Sequence, residues 1–89
     1  MIRRRCTISG RVQGVGFRWA ARAEAERLGV AGFVRNLPGG EVLAEVEGEP
    51  DAVGAMLEWL CTGPRGARVD ELGSEGIDPI GETGFRIAR

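Results

Sequence analysis

Gly10-Arg11-Val12-Gln13-Gly14-Val15-Gly16-Phe17-Arg18 stands between a segment of strand character and a segment of helix character. Glycine tolerates positive φ and lets a ligand come close to the peptide groups. A turn that feeds a helix leaves the first N–H groups unpaired, at the positive end of the helix dipole. Together these suit an anion, most often a phosphate, and the Arg18 guanidinium is placed to close such a cradle.

On the N-terminal side, Arg4 to Val12 alternates. Cys6, Ile8 and Val12 share a parity with Gly10, opposite Arg5, Thr7, Ser9 and Arg11. This is the pattern of a half-buried strand, and the arginine run at its start reads as a solvated strand end. On the C-terminal side, Phe17, Ala21, Ala25 and Leu28 draw one apolar stripe at helical spacing, and Gly29 follows as a helix stop. Trp19 reads as partly buried packing, or as a ring shaping the entrance to the loop. Ala31 to Leu37 and Glu41 to Glu47 each alternate around Pro38-Gly39-Gly40, which predicts a hairpin. Pro50 and Asp51 suit a first helical turn. Val53, Met56, Leu57 and Leu60 supply a second helical stripe, and Met56 and Trp59 read as core. Arg68 to Ile77 has strand composition, with a slip between Val69 and Leu72 that suggests a bulge. Gly76 to Gly84 reads as loop and Phe85-Arg86-Ile87 as a short last strand.

The order strand, helix, hairpin, helix, strand predicts an α+β, ferredoxin-like split β-α-β sandwich. Two helices lie on one face of a mostly antiparallel sheet of four strands plus a short fifth. With 89 residues the expectation is a single domain spanning 1–89.

Composition removes whole classes of chemistry. All 12 basic residues are arginine, lysine and histidine are absent, and the net charge is −1. Histidine acid–base catalysis, histidine metal ligation and lysine Schiff-base chemistry are excluded, and a near-neutral chain argues against general nucleic-acid binding. Cys6 and Cys61 lie far apart with no CxxC context, which points to a reducing cytoplasm. No apolar run reaches the roughly 20 residues of a membrane span, and no apolar stripe is left over for an interface, so a monomer is expected.

The loop also fails the common phosphate signatures. A P-loop needs a lysine, and a dinucleotide fingerprint needs a third glycine where Trp19 stands. Six residues after Cys6 and Cys61 come Val12 and Ala67, where a cysteine phosphatase would need arginine. What remains is a phosphate site with no nucleophile, histidine base or metal cluster. Phosphate monoesters leave as alkoxides and usually need a general acid or a metal. An acyl phosphate leaves as a carboxylate, whose conjugate acid has a pKa of about 4 to 5, and departs without protonation. Positioning and charge stabilisation would then suffice: Arg18 and the loop amides on the phosphoryl oxygens, and a neutral polar group such as Asn36 orienting water.

The run from Gly10 to Arg18, with Ala25, Gly29, Gly32-Phe33-Val34-Arg35-Asn36 and Gly40, closely resembles the acylphosphatase signature. That resemblance implies a ferredoxin-like fold and hydrolysis of acyl phosphates to a carboxylate and inorganic phosphate, with no cofactor and no metal. It implies phosphate binding by the amides of Gln13, Gly14, Val15, Gly16 and Phe17 and by Arg18, and water positioning by Asn36. Phe33 stands where the family usually has tryptophan, and Gly39 where a polar turn residue is common. Two other readings are a non-catalytic anion-binding module on the same fold and a ferredoxin-like RNA-binding or protein-interaction domain. The latter would need aromatic residues exposed on the sheet, and Phe33 is the one candidate.

Overall fold

The alternation of the first strand is kept in the computed structural model, which describes residues 1–89. β1 (Ile2–Arg11) turns Cys6 and Ile8 inward, fully buried, and leaves Arg5 and Thr7 exposed on the other face. α1 (Phe17–Leu28) buries Phe17, Ala21 and Ala25. It ends where Val30 N–H donates to Ala25 O at 3.0 Å and Gly29 N–H to Glu26 O at 3.3 Å, the paired bonds of a Schellman cap. β2 (Ala31–Asn36) and β3 (Val42–Gly48) form the predicted hairpin. α2 (Pro50–Thr62) has its proline in the first turn and buries Val53, Met56 and Leu60. β4 (Arg68–Ile77) and β5 (Phe85–Ile87) complete the chain.

The sheet order is β4-β1-β3-β2-β5. β1 pairs antiparallel with β3 and β4, and β2 antiparallel with β3, while β5 runs parallel to β2. This is the ferredoxin-like α+β arrangement expected, with one continuous core of 15 buried residues where helices and sheet meet. Because β3 is antiparallel to both of its neighbours, β1 and β2 point the same way with one strand between them. The loop that leaves β1 and the Asn36 end of β2 therefore emerge at the same end of the sheet.

The expected slip in β4 is a bulge at Asp70. Ser9 pairs with Glu71 but Gly10 with Val69, so β4 crosses very close to the end of β1. A Cβ on Gly10 would lie 2.2 Å from Arg68 O and 2.7 Å from Asp70 N. The requirement at the start of the loop is thus steric as well as conformational.

Two expectations are corrected. Arg3 is not part of a solvated strand end: it is 3 % exposed. Its face of the sheet lies away from the helices, but the chain linking β4 to β5 crosses that face over Arg3 and Glu47 and covers it there. Glu47, 2 % exposed, is the staple. Its carboxylate accepts from Ile80 N (2.8 Å), Gly81 N (2.9 Å) and Glu82 N (3.2 Å), and Arg3 donates to Glu47, Glu45 and Glu82. Trp19 is not packed but 67 % exposed. At 3.6 residues per turn it points about 200° from Phe17, away from the buried stripe.

The Ile80 amide, then Arg3 and the Gly81 and Glu82 amides, hold the Glu47 carboxyl below its ordinary 4.5 against the opposing effect of burial. Burial also opposes the shift at Glu82, but Arg3 and Arg86 outweigh it and lower that carboxyl too. A depressed carboxyl contributes stability that is present above the unfolded-state value and is lost as pH falls through the folded-state one. Denaturant midpoints are therefore expected to fall with acidification below 4.5, and Glu47→Gln should flatten that dependence while lowering stability at neutral pH. A second expectation concerns glycines. Gly54, exposed inside α2 with nothing within 4 Å of a built Cβ, should gain about 0.5–1 kcal/mol on Gly54→Ala. Gly10→Ala should cost about 3 kcal/mol, both read by chemical denaturation.

Candidate active site

Val12 is buried at the exit of β1 and Val15 packs on the core, so the loop between them is pinned by side chains while its backbone faces out. Gly14 (φ 76°) and Gly16 (φ 77°) are both left-handed, a conformation that bends successive peptide groups toward one side. The backbone N–H groups of residues 13–19 make no hydrogen bond within the protein, and the first intrahelical bond is Ala20 N to Gly16 O at 3.1 Å. No side chain caps α1 and no acidic residue lies in its first turn. Unpaired amides at a helix N-terminus with no local carboxylate form a positive concavity suited to an anion.

Arg18 occupies the second position of α1. Arg3, Arg5, Arg22, Arg27, Arg68 and Arg86 are held in ion pairs, whereas Arg18, like Arg11, Arg35, Arg65 and Arg89, has neither an ion pair nor a hydrogen-bond partner. Its guanidinium is uncommitted beside uncommitted amides. Phe17 contributes only backbone to the loop, since its ring is buried and tilted against Trp59 at 5.6 Å between centroids.

Asn36 closes β2, paired across the ladder with Val42. It shares a face with the fully buried Val34, and its Oδ1 is buried with no partner. A buried acceptor left unpaired costs roughly 1–3 kcal/mol, so Asn36 Oδ1 is a point of unmet hydrogen bonding at the end of β2. The structure thus brings the loop, Arg18 and Asn36 to one end of the sheet. A further contact was not visible in the sequence: Gln13 Nε2 donates to Leu37 O at 2.8 Å and Glu41 O at 2.9 Å. A glutamine after a strand carries no signal for acceptors 24 and 28 residues away.

The largest surface cavity, about 440 Å³, lies at the opposite end among Met1, Glu26, Val30, Glu47, Glu82 and Phe85. On the open sheet face Phe33 is half-buried, with the Arg86 guanidinium 5.3 Å above its ring. That face therefore presents one aromatic ring, partly shielded by an arginine, where an RNA-binding sheet would expose several.

The family model described as Acylphosphatase matches residues 4–87. The chain belongs to the acylphosphatase family. It is 57 % identical over 83 residues to the acylphosphatase of Anaeromyxobacter dehalogenans, covering 93 % of this chain and 89 % of that one. To the acylphosphatase of Thermococcus kodakarensis it is 48 % identical over 86 residues, covering 97 % and 94 %. The crystal structure of acylphosphatase from Bacillus subtilis superposes with a TM-score of 0.96 at 31 % identity, covering both chains completely. The protein is a hydrolase of the acylphosphatase family, acting on acyl phosphates.

Neither cysteine is placed to act as a nucleophile for the loop. Cys6 is buried in the sheet, where burial pushes its thiol up, and Cys61 is exposed on α2. Thiol titration should find one reactive group in the native protein and two after denaturation. Blocking the native one should leave acyl phosphate hydrolysis unchanged, as assayed with benzoyl phosphate.

Proposed function

We propose that catalysis is shared between the loop and Asn36, with no covalent intermediate and no metal. The amides of Gln13, Gly14, Val15, Gly16 and Phe17, together with Arg18, bind the phosphoryl oxygens. The Arg18 fork gives planar, charge-assisted hydrogen bonds that a point charge cannot reproduce. Asn36 accepts a hydrogen bond from the attacking water through Oδ1 and orients it toward phosphorus. The water oxygen forms the new P–O bond, the carboxylate leaves with the electrons of the old one, and a phosphoryl oxygen of the substrate takes the water's proton. Because a carboxylate needs no proton to depart, the site requires only positioning and stabilisation of the charge spread over the phosphoryl oxygens.

The observation that carries this reading is the coincidence of unpaired donors at residues 13–19 with an orphaned acceptor on Asn36. One set suits an anion and the other suits a water. The cradle addresses the phosphoryl end of the substrate and not the acyl group, which fits a range of acyl phosphates. The chain is further read as one domain acting as a cytoplasmic monomer: its core is single and continuous, and both cysteines are free. No helix is long and apolar enough to cross a membrane.

Hydrolysis of benzoyl or acetyl phosphate separates the roles. Arg18→Ala should abolish turnover and weaken competitive inhibition by phosphate, and Arg18→Lys should restore little of either. Asn36→Ala should slow turnover by roughly a hundredfold or more with phosphate inhibition largely intact. A chelator should change nothing. Phosphate-induced thermal stabilisation without any turnover would instead favour the non-catalytic anion-binding module.

A further inference from the structure

Gln13 is the loop residue whose side chain is fully committed, and its bonds leave the loop altogether. Nε2 donates both of its hydrogens, one to Leu37 O and one to Glu41 O. Leu37 follows Asn36 directly, and Glu41 precedes Val42, the residue facing Asn36 across the ladder. Glu41 O also accepts from Leu37 N at 2.8 Å. One amide group therefore clamps both arms of the hairpin at its tip and fixes them to the cradle. These are the sole hydrogen bonds between residues 12–16 and residues 31–41. β1 and β2 cannot supply others, because β3 keeps them about 10 Å apart, two strand spacings. The tip itself, Pro38-Gly39-Gly40, is exposed and is closed by its own turn bond, Gly40 N to Leu37 O at 3.1 Å, and no protein group bonds Asn36 Oδ1.

We propose that the Gln13 side chain is a positioning residue for hydrolysis, acting through Asn36 by setting its place relative to the phosphate cradle. Its backbone N–H faces the phosphate, while its side chain never touches the substrate. This rests on the roles given above to the cradle and Asn36. In-line attack tolerates little error: a misplacement of about 1 Å costs on the order of a hundredfold. A hairpin tip freed from Gln13 loses its one tether to the loop.

The test is a double-mutant cycle on the whole chain, with kcat, KM and phosphate inhibition measured on benzoyl phosphate. Gln13→Met keeps length and volume but removes both donors. It should lower kcat about tenfold or more while phosphate inhibition stays within about twofold, because the amides and Arg18 are retained. In an Asn36→Ala background the same change should cost nothing further. Full additivity in that background would overturn the proposal, as would an unchanged kcat or a loss of phosphate affinity equal to the loss of kcat. If Asn36→Ala alone leaves turnover intact, the role of Asn36 itself is at fault and the positioning argument falls with it. Gln13→Glu keeps the test open should the methionine variant fail to fold. Its carboxylate faces two carbonyl oxygens, and only the protonated form can donate. Its kcat relative to wild type should rise as pH falls toward the carboxyl range, about 4.3, and a flat ratio would count against the proposal.

Discussion

The site depends on one topological constraint, the insertion of β3 between β1 and β2. In a simple β-α-β unit the two parallel strands would be neighbours, and ladder bonds would occupy the space between their ends. Here they are held apart by a strand that runs the other way, whose own start lies at the hairpin tip. The result is a gap one strand wide, with unpaired amides on one side and an amide oxygen on the other. The catalysis proposed above is arranged across that gap.

The economy of the residue set follows from the substrate. On the mechanism proposed above the carboxylate leaves without protonation, so a chain without lysine or histidine is not short of a general acid for that step. What it must provide is precision, and precision comes from rigidity around the gap. Val12 and Phe17 are anchored in the core, the Asp70 bulge crosses against Gly10, and the ladder fixes β2 to β3. None of these touches a phosphate, yet each limits where the loop or Asn36 can be.

Much of this was legible from periodicity. Both helical stripes, the hairpin, the helix stop at Gly29 and the slip in β4 depend on local pattern, and local pattern survives in a sequence. The loop was marked by its glycines, which alone could be a tight strand-to-helix turn, and its reading as a phosphate site came mostly from the resemblance of residues 10–40 to the acylphosphatase signature. Arg3 and Gln13 were not legible for the same reason: each meets partners distant in sequence. Arg3 looked like the first of three surface arginines until the strap across the sheet brought Glu82 to it. Gln13 looked like a loop amide and no more. Of the two readings of Trp19, packing fails, because two positions of helical rotation from Phe17 turn the ring to solvent, and the ring beside the loop remains.

The two tryptophans end in very different places. Trp59 lies half-buried against Phe17 on α2, and Trp19 stands in solvent one residue beyond Arg18. With no tyrosine in the chain, the near-ultraviolet emission belongs to this pair alone. An aqueous quencher reaches Trp19 first and leaves Trp59 as a monitor of the interior. The molecule thus carries two optical channels, one in solvent beside the loop proposed to bind phosphate and one on the core. Replacing either tryptophan by phenylalanine leaves a single-wavelength probe of the other, so ligand occupancy and unfolding can be followed separately without a foreign label.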